Sequence, residues 1–383
     1  MNSGKQIVFV NQSSGYLMID IIESFEGTFD ERILMAGYIN PRNKSLDESI
    51  KVVKLCEYNR SSSIKRIFTW GWAFLKALFL ILIKYRKAHL FLVSNPPFAT
   101  LIPLFCRNTF DILIFDIYPD ALVEFNYFKK DSLITKKWEK WNRKVFARAK
   151  NVFTLTDGMK ERLMKYVSGE QISVIPVWTD NDFLKPVNKN ENVFLKKHKL
   201  TGKFVVMYSG NMGKTHPVGI MVDLAERMKD NESVYFMLIG GGDQYKDLEA
   251  KIISSNLSNI SILPWQPTEQ LPNTLPAASL SLVTLGNEAS DISIPSKTFN
   301  LMSVGVPVIC VAQHDSALSA LVAKESIGKA FGLSDHDAIV EFILEAQSNP
   351  AMYEEMVQKV LLASQNYTPL NAKKFNTFRN ETV

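Results

Sequence analysis

Cysteine is scarce, with three in 383 residues. Cys56, Cys106 and Cys310 lie far apart in apolar surroundings, which gives no disulfide framework and no metal spacing and fits a reducing compartment. Long apolar runs are also missing. In the aromatic-rich segment 64–85 the longest uninterrupted run is Ala77–Ile83, against the roughly 20 residues a bilayer span needs. The chain has no Gly-x-Gly-x-x-Gly, no low-complexity tract, no internal repeat and no DNA- or RNA-binding motif. Met1-Asn-Ser-Gly-Lys-Gln-Ile-Val-Phe-Val runs straight into a strand pattern, so no signal peptide is expected.

What remains is an ordinary soluble composition, 46% apolar and 22% charged, in a chain long enough for two domains. The net charge of +5 hides an asymmetry. Residues 1–178 hold 26 Lys+Arg against 17 Asp+Glu, or +9, and the rest hold 18 against 22, or −4. An anionic partner is expected near the first half.

Apolar β-branched runs alternate with helical spacing throughout, which predicts an α/β fold with parallel sheets. In the first half, strands are expected at Lys5–Asn11, Arg32–Gly37, His89–Asn95, Asp111–Ile117, Asn151–Thr156 and Ile172–Val177. The first is followed by Gln12-Ser-Ser-Gly-Tyr16 and a helix to about Phe25, a turn where open parallel sheets bind ligands. A plain tight turn explains one glycine equally well. Asp116 and Asp120 follow a strand on the same side of the sheet. Asp120 reads first as a helix or turn cap, whereas Asp116 ends an apolar strand and is the stronger acidic candidate.

The segment Ile64–Tyr85 packs Trp70, Trp72, Phe74 and many aliphatics between Lys65, Arg66, Lys76, Lys84, Arg86 and Lys87. It reads as a core helix, as an interfacial helix on an anionic membrane, or as both at once on opposite faces. A second helix, 138–150, has an apolar stripe of Trp138, Trp141, Val145 and Ala149 and otherwise basic faces. Nucleic acid is not an expected partner.

Polar residues 179–192 mark the domain boundary. The expected organisation is an N-terminal domain over 1–178, a linker over 179–192, a C-terminal domain over 193–355 and a returning tail over 356–383. Asp180-Asn-Asp182 lies in the linker rather than at the end of a core strand, so no metal site is read there. Lys203–Gly210 opens a second β/α series. Its following loop, Asn211-Met-Gly-Lys-Thr-His-Pro217, offers close backbone approach at Gly210 and Gly213 and a point charge at Lys214, as phosphate sites require. His216 is a weaker candidate. Further strands at Val234–Ile239 and Ile260–Gln266 lead to Gly241, Trp265 and Gln266. In Ser293–Cys310, Pro295-Ser296 predicts a capped helix start, Lys297 adds charge there, and Gly305 ends the helix before a buried strand at Val306–Val311. An ordinary capped helix before a core strand fits the same pattern.

Pro295-Ser-Lys-x-Phe-x-x-Met-x-x-Gly-x-Pro-Val308, with Gly210-Asn-x-Gly-Lys214, resembles the nucleotide-sugar segments of retaining GT-B glycosyltransferases of the family-4 group. In particular it is similar to bacterial enzymes that build capsule, lipopolysaccharide and exopolysaccharide. The resemblance implies two facing Rossmann-like domains with an interdomain cleft. It also implies metal-independent, retaining transfer from a UDP-sugar to a lipid-linked or saccharide acceptor, without a cofactor, at the cytoplasmic face of the cell membrane. The donor would be held by Gly15, Gly210, Asn211, Gly213, Lys214, Gly241, Trp265, Gln266, Asp291, Ile294, Pro295, Ser296, Lys297 and Asn300. Lys214 and Asp116 would be catalytic. The family's two glutamates fall at Asn300 and Ile292, and Asp291 stands one residue from the second. Their loss keeps a non-catalytic nucleotide-sugar-binding partner protein open as an alternative, with a UDP-sugar 2-epimerase third.

Overall fold

The computed structural model describes residues 5–378 apart from 43, 60, 125–126, 215 and 287–293. Asp291 and Ile292 therefore lie outside the described residues. The chain forms two compact units, Met1–Val177 with Pro369–Val383, and Trp178–Thr368.

In the first unit β1 (Gln6–Val10), β3 (Glu31–Ala36), β5 (Ile50–Lys54), β6 (His89–Val93), β7 (Phe110–Leu113), β8 (Val152–Thr154) and β9 (Ile172–Val174) form one sheet, ordered β5-β3-β1-β6-β7-β8-β9. Every pairing is parallel. Ile7 to Val10 and Leu90 to Val93 are buried on both faces, the reason these runs do not alternate in polarity. The edge strand β5 was not foreseen. Only Ile50 in it is buried, and Lys51 and Lys54 face water, a charged edge that resists further pairing. A small parallel pair, β2 (Ser13–Gly15) with β4 (Tyr38–Asn40), flanks the sheet.

Its helices are α1 (Tyr16–Ser24), α2 (Ser63–Ile83), α3 (Asp120–Glu124), α4 (Leu133–Phe146) and α5 (Asp157–Leu163). The Ser62 hydroxyl caps α2 by accepting from the Lys65 N–H at 3.2 Å. Although no run within it reaches spanning length uninterrupted, Ile64–Ile83 taken whole is long and apolar enough to cross a bilayer by length and composition. Trp70, Ala73, Ala77 and Ile81 are nonetheless buried within the unit.

The second unit holds β10 (Phe204–Asn211), β11 (Val234–Gly241), β12 (Ile260–Leu263), β13 (Leu280–Thr284), β14 (Val308–Val311) and β15 (Gly328–Phe331), ordered β12-β11-β10-β13-β14-β15 and all parallel. Around it lie α6 (Val193–Lys197), α7 (Ile220–Arg227), α8 (Tyr245–Ser255), α9 (Leu271–Thr274), α10 (Lys297–Ser303), α11 (Ala317–Glu325), α12 (His336–Ser348) and α13 (Pro350–Ser364). Both sheets are doubly wound. The strand order reverses between β1 and β6 and again between β10 and β13. In open α/β sheets that reversal leaves a crevice at the carboxyl ends of the strands.

Two expected boundaries move. Residues 179–192 are part of the second unit, because their polar groups are spent on it. The Asp180 carboxylate accepts from the Asp182 and Phe183 N–H groups, both at 3.1 Å. Lys189 Nζ donates to the carbonyls of Pro276, at 2.7 Å, and Ala278. Asn192 caps α6. The tail begins at Pro369 rather than 356. The Tyr353 hydroxyl donates to Ser279 O at 3.0 Å, which holds α13 in the second unit. Past it, Phe375 buries against Phe91 and Phe153 of the first sheet.

Candidate active site

The carboxyl ends of β10 and β11 meet as two glycines. Gly210 pairs with Gly240 in register, and their φ angles are +151° and +146°. A Cβ on Gly240 would overlap the Gly210 carbonyl, and one on Gly210 would stand 2.6 Å from Lys297 Nζ. Glycine is required at both, and it lets a lysine from α10 come down onto the strand end. There Nζ lies 3.9 Å from the centre of the Tyr208 ring, and the Tyr208 hydroxyl donates to Asn211 O at 2.5 Å.

Lys297 as a residue is half-buried, but its ammonium is sealed from water and has no hydrogen-bond or ion-pair partner among the described residues. Burial without an anion lowers its pKa from 10.5 to about 7. His216 stands at the same end of the sheet with Nδ1 3.3 Å from Thr284 O, a contact in which only the ring can donate. Its pKa is lowered by burial first and by the charge of Lys297 second.

The start of α10 differs from the expected cap. Ser296 is exposed, has helical φ and ψ of −58° and −22°, and makes no capping hydrogen bond. The Thr298 N–H is satisfied by Pro295 O at 2.9 Å instead. With seven residues the helix has a short dipole. The Lys297 side chain adds a full positive charge at this helix start. The helix stop is as expected: Gly305 has φ +72°, and the Val306 N–H reaches back to Leu301 O at 3.0 Å. Asn300 Oδ1 accepts from the Thr179 hydroxyl at 2.6 Å. Its acceptor is thus used within the protein, and the amide NH₂ remains as a donor.

Beyond Gly210, Gln244 pins the loop by donating to Gly213 O at 2.5 Å and His216 O at 2.8 Å. Lys214 is exposed on this loop. Trp265, 59% exposed, lays its indole against Gly241, where a Cβ would stand 2.7 Å from Nε1. Gln266 turns its amide to Pro264 O at 2.9 Å, which fixes the turn that follows Trp265.

The family described as Glycosyl transferases group 1 matches residues 190–360, nearly the whole second unit. The chain carries a glycosyl transferases group 1 domain. Probable glycosyltransferase WbjE of Pseudomonas aeruginosa is 22% identical over 236 residues, 61% of this chain and 58% of that protein. Putative colanic acid biosynthesis glycosyl transferase WcaI of Escherichia coli (strain K12) is 27% identical over 175 residues, 45% of this chain and 42% of that protein. The matches thus span 58% and 42% of those relatives' own length. Anabaena Alr3699/HepE, solved in complex with UDP and glucose, superposes with a TM-score of 0.72 at 14% identity, covering 99% of this chain and 100% of that one. The shared fold is GT-B.

Within this glycosyltransferase domain, Gly210, Asn211, Gly241, Trp265 and Lys297 gather at adjacent strand ends, with Gly213 and Lys214 on the connecting loop. Sequence reasoning missed Tyr208, Gly240, Gln244 and Thr179. Tyr208 had a signal, since residues i and i+2 of a strand share a face and Gly210 was already marked.

The first unit carries Gly15 at the end of β2, just before α1, and Asp116 on the loop after β7. A Cβ on Gly15 would meet nothing within 4 Å, so the unit itself does not demand glycine there. The Ser94 hydroxyl accepts from the N–H groups of Phe115 and Asp116, at 2.9 and 3.1 Å, fixing that turn. Asp116 is exposed, yet the surrounding protein raises its pKa by desolvation. Asp120 is structural: it accepts from Lys165 at 2.9 Å and from the Tyr166 hydroxyl. A cavity of about 880 Å³ near Gln6 and His89 lies at the amino ends of β1 and β6 and includes none of the candidate residues.

Proposed function

We propose that the protein transfers a sugar from a UDP-sugar to a lipid-linked or saccharide acceptor in bacterial surface polysaccharide synthesis. The observation that carries this reading is the buried, unpaired ammonium of Lys297 at the crevice of a glycosyltransferase domain. A charge held without a partner is costly, and a diphosphate supplies the missing anion. The relatives named for glycosyl transfer and colanic acid biosynthesis, and the UDP complex of the structural neighbour, support the donor and the pathway class.

In the proposed reaction an acceptor hydroxyl bonds to the anomeric carbon of the donor as the anomeric C–O bond to the diphosphate breaks. The acceptor proton passes to the leaving phosphate, on the same face, and configuration is retained. Lys297 and Lys214 stabilise charge as it grows on the leaving diphosphate, a role that a metal ion fills in other designs. Gly210, Gly213 and Gly241 give the diphosphate and ribose close backbone approach. Trp265 and the Gln266 turn border the base, and the Asn300 amide donates to a donor hydroxyl. Asp116 polarises the acceptor. The protein works in the reducing cytoplasm, peripheral to the inner face of the cell membrane.

A second reading, a nucleotide-sugar-binding partner without turnover, is favoured by Asn300 alone, a neutral donor where the resembled family carries a glutamate.

Thermal unfolding with UDP, GDP, ADP and CDP, each with and without EDTA, tests the donor. A native-state ligand at 100 times its Kd adds about 2.7 kcal/mol, a clear rise in Tm. UDP alone should give that rise, unaffected by EDTA and absent in Lys297→Met. No rise with any nucleotide rules out the donor site. A rise without turnover on any UDP-sugar selects the second reading.

A further inference from the structure

The outer face of α2 is as apolar as the face it buries. Phe68 is 77% exposed, Trp72 63% and Phe79 62%, and Ile64, Ile67, Leu75 and Ile83 are exposed beside them. Trp72, Leu75, Lys76, Leu78, Phe79 and Leu82 line a shallow groove of about 520 Å³. A helix on a soluble surface presents polar residues on its outer side, and an apolar patch of this extent marks an interaction surface.

Charge selects the occupant. Residues 58–110 contain Arg60, Lys65, Arg66, Lys76, Lys84, Arg86, Lys87 and Arg107, and no Asp or Glu. A second copy of this face would set like charge against like, whereas an anionic surface complements it. The shape of the helix points the same way. Its 21 residues make a rod of about 31 Å, rich in aromatics and aliphatics, with Lys65 and Arg66 near its start, Lys76 within it and Lys84, Arg86 and Lys87 just past its end, the composition of a helix lying in a lipid interface. The opposite face is already committed. Trp70, Ala73, Ala77 and Ile81 are buried, and Phe74 packs edge-on to Phe98 and Phe105 at 6.4 and 6.2 Å. A helix held by its inner side from Trp70 to Ile81 lies flat and does not cross.

We propose that the outer face of α2 seats the first unit on an anionic phospholipid leaflet, with Trp72 and Phe79 entering the headgroup–acyl boundary. Lys65, Lys76, Lys84, Arg86 and Lys87 then meet the lipid phosphates. This deepens the peripheral placement proposed above and assumes nothing about donor or reaction.

The test is cosedimentation of the full chain with vesicles of phosphatidylcholine, alone or mixed with phosphatidylglycerol. The protein should bind the mixed vesicles, and salt should weaken binding. Trp72→Ser with Phe79→Ser should reduce binding tenfold or more while circular dichroism and the UDP thermal shift stay unchanged. Lys84→Glu with Lys87→Glu should remove much of the preference for phosphatidylglycerol. Three results overturn the proposal: no binding to the mixed vesicles, equal binding by the Trp72/Phe79 variant, or a variant that turns a dimer into a monomer with vesicle binding intact. Vesicle binding without a UDP shift would instead remove the donor reading and leave this one standing.

Discussion

Lys297 Nζ rests 3.9 Å from the centre of the Tyr208 ring, on the side of β10 where Gly210 has no side chain. The ring face is electron-rich and offsets part of the cost of the buried cation, about 2 kcal/mol when such a contact is desolvated. It supplies no full negative charge, and burial brings the pKa down to about 7. The arrangement holds a lysine poised between charged and neutral forms until an anion arrives.

Donor binding should therefore depend on pH. A diphosphate favours the charged amine and raises its pKa, so binding takes up a proton whenever the free site is neutral. UDP affinity should fall as pH rises above about 7, and calorimetry in buffers of different ionisation enthalpy should detect the proton uptake. Lys297→Met should abolish both effects. An affinity flat from pH 6 to 9 would exclude Lys297 from the diphosphate site.

Stability without ligand should move the other way. The folded pKa of Lys297 lies below its unfolded value of 10.5, so between about pH 7 and 10.5 the unfolded chain binds the extra proton. By linkage this residue's contribution to stability rises with pH across that window. Lys297→Met should stabilise the unliganded protein at pH 7 by about 1–3 kcal/mol, measured by urea unfolding, while removing the UDP shift.

Two neighbouring glycines should behave differently. Gly210→Ala places a Cβ 2.6 Å from Nζ at a φ of +151°, and strain of this kind costs about 1–3 kcal/mol. Both stability and UDP affinity should drop. Gly241→Ala meets the exposed indole of Trp265, which can swing away. Stability should change by less than about 0.5 kcal/mol, while discrimination between UDP and other nucleotides weakens. Equal loss of stability in the two variants would contradict this account.

Asn300→Ala removes the hydrogen bond from the Thr179 hydroxyl, typically worth about 0.5–1.5 kcal/mol, and should raise the donor KM. If Asn300→Glu abolishes donor binding while Asn300→Ala leaves it intact, Asn300 has no role at the donor.

Asp116→Asn should lower kcat without changing UDP affinity. Desolvation raises its pKa, so the acid limb of kcat/KM should fall above the usual carboxylate range, about 3.9, and should vanish in the variant. Asp120→Asn should instead reduce stability, through Lys165 and Tyr166, and spare activity.

The sequence by itself determined the two parallel β/α series and the helix stop at Gly305, and it marked Gly210, Gly213 and Gly241 but not Gly240. These follow from chain-local rules: the period of the apolar residues and the conformations that only glycine adopts freely. It also marked the apolar, basic segment at 64–85 but left its faces unassigned, since helical spacing does not say which stripe meets the sheet. Tertiary structure decided that Trp70, Ala73, Ala77 and Ile81 go inward and Trp72 and Phe79 outward. It left Ser296 without a capping hydrogen bond and buried the Lys297 amine, tied the Asn300 acceptor to Thr179, and drew the 179–192 segment into the second unit. The last two depend on polar groups finding partners across 80 or more residues of chain, as Lys189 does with Pro276 and Ala278. The chain-local signals carry no record of such partners, because a buried ammonium and a solvated one have the same sequence.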